Sequence, residues 1–62
     1  MITTILIPAY NEEATIGDVI KKISKEHPSK TYIIVIDDGS SDRTSTIAKE
    51  SGADFVLNNK KN

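Results

Sequence analysis

Residues 32–38 read Tyr32-Ile33-Ile34-Val35-Ile36-Asp37-Asp38, five hydrophobic side chains running straight into two acids. Successive strand residues point to opposite faces, so a run this uniform is apolar on both. Such a strand needs cover on both faces, and that is the situation inside a parallel α/β sheet. Gly39-Ser40-Ser41-Asp42, which follows, is turn chemistry. The two carboxylates therefore stand where the strand leaves the sheet. In open α/β sheets ligands bind in that carboxyl-end crevice.

The flanking sequence supplies partners for this strand. Ile2 to Ile7 is β-branched and apolar and reads as a first strand. Pro8 is expected to end it, because proline cannot donate to a ladder. Ala9-Tyr10-Asn11 is then a loop, with Asn11 as a helix cap and Glu12 and Glu13 in a first turn that favours negative charge. Ile16, Val19, Ile20 and Ile23 follow as one helical stripe. Lys21, Lys22 and Lys25 come late in the helix, where cations are favoured, and His27-Pro28 stops it. Ser29 to Thr31 connects to the central strand. Ser40 or Ser41 is expected to cap a second helix beginning near Asp42, with Thr44, Ile47, Ala48 and Ser51 as its thin inner face. Gly52 suits a left-handed C-terminal cap. Ala53 to Leu57 is a third strand, and residues 58–62 are polar.

Strand, helix, strand, helix, strand predicts parallel pairing with right-handed crossovers. The fold class is α/β, three-layer and doubly wound in the Rossmann-like manner. Residues 1–62 carry its β-α-β-α-β half with a three-stranded parallel sheet. A further helix is expected beyond the third strand, so the chain reads as the N-terminal portion of one larger domain. At 62 residues it is marginal as a free-standing core. It has no cysteine and no zinc-ligand cluster to staple it. Net charge is −1 with acids and bases interspersed, which speaks against nucleic acid as a partner. The start lacks the basic region of a signal peptide, and no apolar stretch approaches the roughly 20 residues of a membrane helix.

The individual residues leave alternatives open. Asp37 and Asp38 point to opposite faces of a regular strand, so at least one is structural, and turn preference alone explains either. Tyr10 can present an aromatic face and Glu12 a carboxylate, or the segment can be a plain strand-to-helix loop. Gly39, Ser40 and Ser41 precede a helix, but neither G-x-G-x-x-G nor G-x-x-x-x-G-K-[ST] is present, and capping is the expected job. His27 reads as a helix-terminal cation and Arg43 as an exposed one.

Taken together, Ile7-Pro8-Ala9-Tyr10-Asn11-Glu12-Glu13 and Val35-Ile36-Asp37-Asp38-Gly39-Ser40-Ser41-Asp42-Arg43-Thr44 resemble the N-terminus of inverting glycosyltransferases with the GT-A fold, family 2 type. The nearest branch is the dolichol-phosphate mannose synthase and polyprenyl-phosphate glycosyltransferase group. The resemblance covers nearly the whole chain. It implies that this region is the nucleoside half of a donor site. Pro8, Ala9 and Tyr10 would line the base, Glu12 would reach the base or ribose side, and Ile36 and Asp38 would sit at the base's hydrogen-bonding edge. Asp37 is the weaker candidate. The resemblance also implies a GDP- or UDP-sugar donor, a polyprenyl phosphate among the acceptors, a cytoplasmic site at the membrane face, and Mg or Mn in the full enzyme. The Asp-x-Asp motif that holds this metal and the diphosphate is absent from residues 1–62, so this chain alone is expected to bind no metal and to be inactive. Two other readings compete with this one. A receiver-like phosphotransfer domain has its acidic pair after the first strand, not the second. A non-catalytic assembly module would need no ligand.

The resemblance suggests the strand order third, second, first, and with that order both crossover helices lie on one face of the sheet. The opposite face, apolar in every strand, would then be bare, and self-association is expected.

Overall fold

The computed structural model describes residues 2–26 and 30–59. Strand β1 (Thr3–Ala9), helix α1 (Ile16–Glu26), strand β2 (Thr31–Asp37), helix α2 (Thr44–Glu50) and strand β3 (Phe55–Asn58) follow in that order. The sheet is parallel throughout, in the order β1-β2-β3 with β2 central. The expected α/β class and element order are those observed, with both helices packed on one face of the sheet. His27-Pro28, expected to stop α1, lies outside the described residues, as does the tail beyond Asn59.

Alternation sorts the side chains. Ala9, Ile33 and Val35 face the helices and are buried with Ile16, Ile20 and Ala48. Ile7, Ile23, Ile47, Ala53 and Val56 pack around this core. Each fully buried aliphatic side chain contributes about 1.5–3 kcal/mol. Val19 belongs to the predicted stripe but is exposed. At 100° per residue it lies about 60° to one side of Ile16, at the margin of the buried arc. The other sheet face carries Leu6, Ile34 and Phe55 in one cross-strand row and Pro8, Ile36 and Leu57 in the next. Leu6 and Phe55 are each 60% exposed, and no described element covers them. The bare face expected from the strand order is present.

Pro8 does not end β1; it lies within the strand, opposite Ile36. The reason is which edge it faces. The Thr3 N–H donates to the Lys30 carbonyl, and the Ala9 carbonyl accepts the Asp38 N–H. Odd-numbered β1 residues thus turn their backbone groups toward β2, and Pro8 turns its missing donor toward the free edge, where a proline is tolerated. β3 begins at Phe55, later than expected, because Asp54 joins β2 differently. Its backbone N–H donates to the Ile33 carbonyl at 2.9 Å, and its carboxylate accepts the Ile33 N–H at 2.8 Å.

The helix ends depart from local expectation at one terminus and agree at the other. α2 closes as predicted. Gly52 has φ +113°, the Ala53 N–H donates to the Ala48 carbonyl, and the Gly52 N–H to that of Lys49. These are the two bonds of a Schellman cap. At its start, neither Ser40 nor Ser41 caps it. Asp42 accepts both the N–H and the hydroxyl of Thr44. Nor does Asn11 cap α1: the Glu12 carbonyl closes the entering turn by accepting from Thr15 and Ile16, and regular helix begins only at Ile16.

Candidate functional site

The carboxyl ends of β1 and β2 lie side by side, so the two sequence motifs meet. Pro8, Ala9, Tyr10 and Glu12 from the first and Asp38 from the second line an open cleft of about 270 Å³. Ile36 stands opposite Pro8 on the same sheet face. Ala9 is buried and forms the floor, while Tyr10 is 59% exposed, its ring free to meet a ligand. The two acids part as alternation requires. Asp38 is exposed at the cleft. Asp37 is 1% exposed and turns inward. One of its oxygens accepts the Ser40 N–H at 2.9 Å, and the other accepts the Ser45 hydroxyl. Asp37 thus shapes the Gly-Ser turn and ties it to α2, while Asp38 is left at the surface.

The loops that carry the cleft are bound to each other. The Asn11 N–H donates to the Ser40 hydroxyl at 2.7 Å, and the Ser41 N–H returns to the Asn11 side-chain carbonyl at 2.9 Å. The Glu12 N–H donates to the buried Thr44 hydroxyl at 2.8 Å, and that hydroxyl donates on to Asp42. The Glu13 N–H donates to Asp42, and the Arg43 N–H to Glu13, each at 3.3 Å. Asn11, Ser40 and Ser41, read from sequence as local caps, and Asp42, read as the start of the second helix, therefore act across the gap. Asn11 has φ +48°, which an asparagine adopts more readily than most residues. Thr44 was read only as a helix-face residue, and Asn59 only as tail. Asn59 donates its side-chain amide to Asp38 at 3.4 Å. The available signal was compositional: small polar residues crowd both strand ends, more than two caps require.

The Thr44 hydroxyl is the largest cause holding the Asp42 carboxyl below its ordinary value of 3.8. Burial opposes this, the N–H groups of Thr44 and Glu13 add to the lowering, and the negative Asp37 opposes it.

Chemically, the cleft offers a proline and tyrosine surface beside two acceptor-only carboxylates, and no lining residue is a cation. That suits a flat ring and hydroxyls carrying hydrogen-bond donors better than it suits a phosphate. The residues present do not fit a metal-diphosphate site. Asp37 and Asp38 diverge, and no group of three potential ligands converges among the described residues. Two larger hollows, of about 470 and 420 Å³, flank α2 beside Ser45, Thr46 and Asn58. They hold none of the predicted site residues. Among the described residues no helix is long and apolar enough to cross a membrane.

The sequence profile of glycosyl transferase family 2 matches residues 4–62. An uncharacterised protein of Methanocaldococcus jannaschii is 48% identical over 48 residues, 77% of this chain and 19% of that protein. A 4,4'-diaponeurosporenoate glycosyltransferase of Staphylococcus haemolyticus is 42% identical over 50 residues, 81% of this chain and 13% of the relative. Glycosyltransferase AglJ of Haloferax volcanii is 43% identical over 53 residues, 86% of this chain and 17% of the relative. The chain spans less than a fifth of the length of each of these proteins. The matched span runs from β1 to beyond β3 and contains both rim motifs: the chain belongs to glycosyl transferase family 2.

Proposed function

We propose that this chain is the donor-nucleoside-binding part of a glycosyltransferase that moves a sugar from a GDP- or UDP-sugar to an acceptor. The observation that carries this reading is the cleft in which Pro8, Ala9, Tyr10, Glu12 and Asp38 converge without a cation. Pro8 and Tyr10 flank the base, with Ala9 as the floor and Ile36 beside it. Asp38 accepts a ring N–H, because an ionised carboxylate can only accept. Glu12 accepts from the base or ribose side. Asp37 acts through the turn it holds and not on the ligand. Two of the matched relatives carry the name glycosyltransferase, which supports the reaction class.

The acceptor we favour is a polyprenyl phosphate, on the likeness of the two rim motifs to the dolichol-phosphate mannose synthase branch. The cytoplasmic membrane face is where such an acceptor would be met. A divalent metal, Mg or Mn, would supply charge compensation for the leaving diphosphate in the whole enzyme. No residue of this chain is assigned to it. The 62 residues alone are expected to complete no transfer, because they contain no Asp-x-Asp motif.

Calorimetric titration of the chain with UDP and GDP is the test. Saturable binding that Asp38→Ala weakens about tenfold or more supports the reading. No binding to either, with the fold intact, favours a non-catalytic assembly module. Transfer of labelled sugar by the pure chain, above a Tyr10→Ala/Asp38→Ala control, would overturn the assignment of the remaining chemistry to other segments.

A further inference from the structure

Glu12, one of the two carboxylates lining the cleft, is held by its main chain on both sides. Its carbonyl accepts the N–H groups of Thr15 and Ile16, which ties it to the entrance of α1. Its N–H donates at 2.8 Å to the hydroxyl of Thr44, 32 residues further on. Thr44 is fully buried at the start of α2. A hydroxyl has one hydrogen to give. Thr44 gives it to Oδ1 of Asp42, which leaves its lone pairs for the Glu12 N–H. The same Oδ1 accepts the Thr44 N–H at 2.9 Å, and Oδ2 accepts the Glu13 N–H at 3.3 Å. Asp42 thus aims the hydroxyl, and the hydroxyl fixes Glu12. Asn11 crosses the same gap to Ser40 and Ser41, but it does not line the cleft. The Thr44 bond ends on a residue that does.

We propose that Thr44 is a positioning residue of the candidate site, one that sets the Glu12 carboxylate in the cleft through the Glu12 main chain. The proposal rests on the nucleoside-cleft reading above. A carboxylate already standing at its working position binds without the cost of ordering it. Thr44→Val keeps the shape of the side chain but strands the Glu12 N–H, and an unpaired N–H away from water is costly. The loop then shifts until that N–H meets water, and the Glu12 side chain moves with it. Thr44→Ser keeps the hydroxyl and both of its bonds. Thr44 itself touches no ligand, and Asp42 acts one step further back.

Equilibrium dialysis of the 62-residue chain against labelled UDP and GDP, read for whichever binds more tightly, tests this. Thr44→Val is expected to weaken binding about three- to tenfold, the range that one hydrogen bond spans. Thr44→Ser is expected to bind within about twofold of the parent. The deciding arm is a double-mutant cycle with Glu12→Ala. Once the positioned carboxylate is gone, Thr44→Val should cost nothing further. A merely structural role would lower binding by the same factor in both backgrounds. Should Thr44→Val lose its far-UV circular dichroism, Asp42→Asn, which keeps the hydroxyl but loosens its aim, enters the same cycle under the same criterion. Unchanged affinity in the folded variant, or losses that multiply across the cycle, overturns the proposal. So does a Glu12→Ala variant that binds like the parent, and the nucleoside-cleft reading then still stands if Asp38→Ala weakens binding. If the folded chain binds neither nucleotide, or if Asp38→Ala changes nothing, that reading falls as well.

Discussion

The side-chain carbonyl of Asn11 accepts the backbone N–H of Ser41 at 2.9 Å, across 30 residues of sequence. With the return bond from the Asn11 N–H to Ser40, this joins the two loops that carry the cleft. Asn11→Ala removes the acceptor and places alanine at φ +48°. We expect a loss of about 1–3 kcal/mol from the missing bond and the strain. Asn11→Asp keeps an acceptor and should lose less. Urea denaturation followed by circular dichroism measures both; an alanine variant as stable as the parent would mean the loops are not coupled.

Asp37 and Asp38 should separate cleanly by readout. Asp37→Ala strands the buried turn N–H of Ser40 and the Ser45 hydroxyl, so it lowers the melting temperature. Asp38→Ala should leave the melt near that of the parent and cost about 1.5–3 kcal/mol of nucleotide binding, the worth of a hydrogen bond to a charged group. Paired thermal melts and calorimetric titrations decide it. A larger binding loss at Asp37 with the fold intact would reverse the assignment.

Gly17 sets the approach of α1 to α2. A Cβ there would lie 2.9 Å from the Ser51 hydroxyl oxygen and 3.3 Å from a methyl of Ile47. Gly17→Ala gains up to about 1 kcal/mol of helix propensity, and overpacking of about 1–3 kcal/mol opposes it. The net should be destabilising in the parent and less so in a Ser51→Ala background, where the nearest atom is gone. A double-mutant cycle by chemical denaturation gives the coupling, and strict additivity would refute the close approach.

Asp42 contributes a defined limb to acid stability. Its folded carboxyl titrates below the ordinary 3.8, chiefly because it accepts the Thr44 hydroxyl. As pH falls, the unfolded chain therefore takes up this proton before the folded chain does. The contribution is complete above the unfolded value and is lost as pH drops through the lower folded one. Asp42→Asn should be less stable than the parent near neutrality and should flatten the loss between about pH 5 and pH 2. Denaturation midpoints across that range are the measurement; parallel curves would assign the acid sensitivity elsewhere.

The bare sheet face should drive association. Leu6, Ile34 and Phe55 form an apolar row beside Pro8, Ile36 and Leu57. Covering each large side chain is worth about 1.5–3 kcal/mol. Sedimentation at low micromolar concentration should show oligomers, and Leu6→Glu/Phe55→Lys should shift them toward monomer. A cooperatively folded, strictly monomeric parent would count against the face as an adhesive surface.

Much of this was legible because periodicity carries it. The Tyr32–Asp37 run implied a central strand, and alternation alone sent Asp37 and Asp38 apart. The uncovered face followed from two crossovers in one direction, a strand order that the family resemblance suggested and periodicity did not. What periodicity does not carry is the destination of small polar side chains. Asn11, Ser41 and Asp42 each have a nearby helix N–H to satisfy, and sequence proximity favours that partner. In the fold, parallel pairing of β1 and β2 brings a distant loop equally close, and Asn11 and Ser41 bond across it. Asn59 was opaque for the same reason: its bond to Asp38 exists only because β3 lies beside β2. Pro8 was misjudged because a single strand's sequence does not say which of its edges is free.

That orientation of Pro8 limits how far a neighbouring strand could follow β1. A strand docking against the open side of β1 could bond to Thr4 and Leu6 but would find no donor at position 8. It would peel away just before Tyr10 and Glu12. The carboxyl end of that edge, where Tyr10 and Glu12 follow, therefore stays open between β1 and any strand beside it.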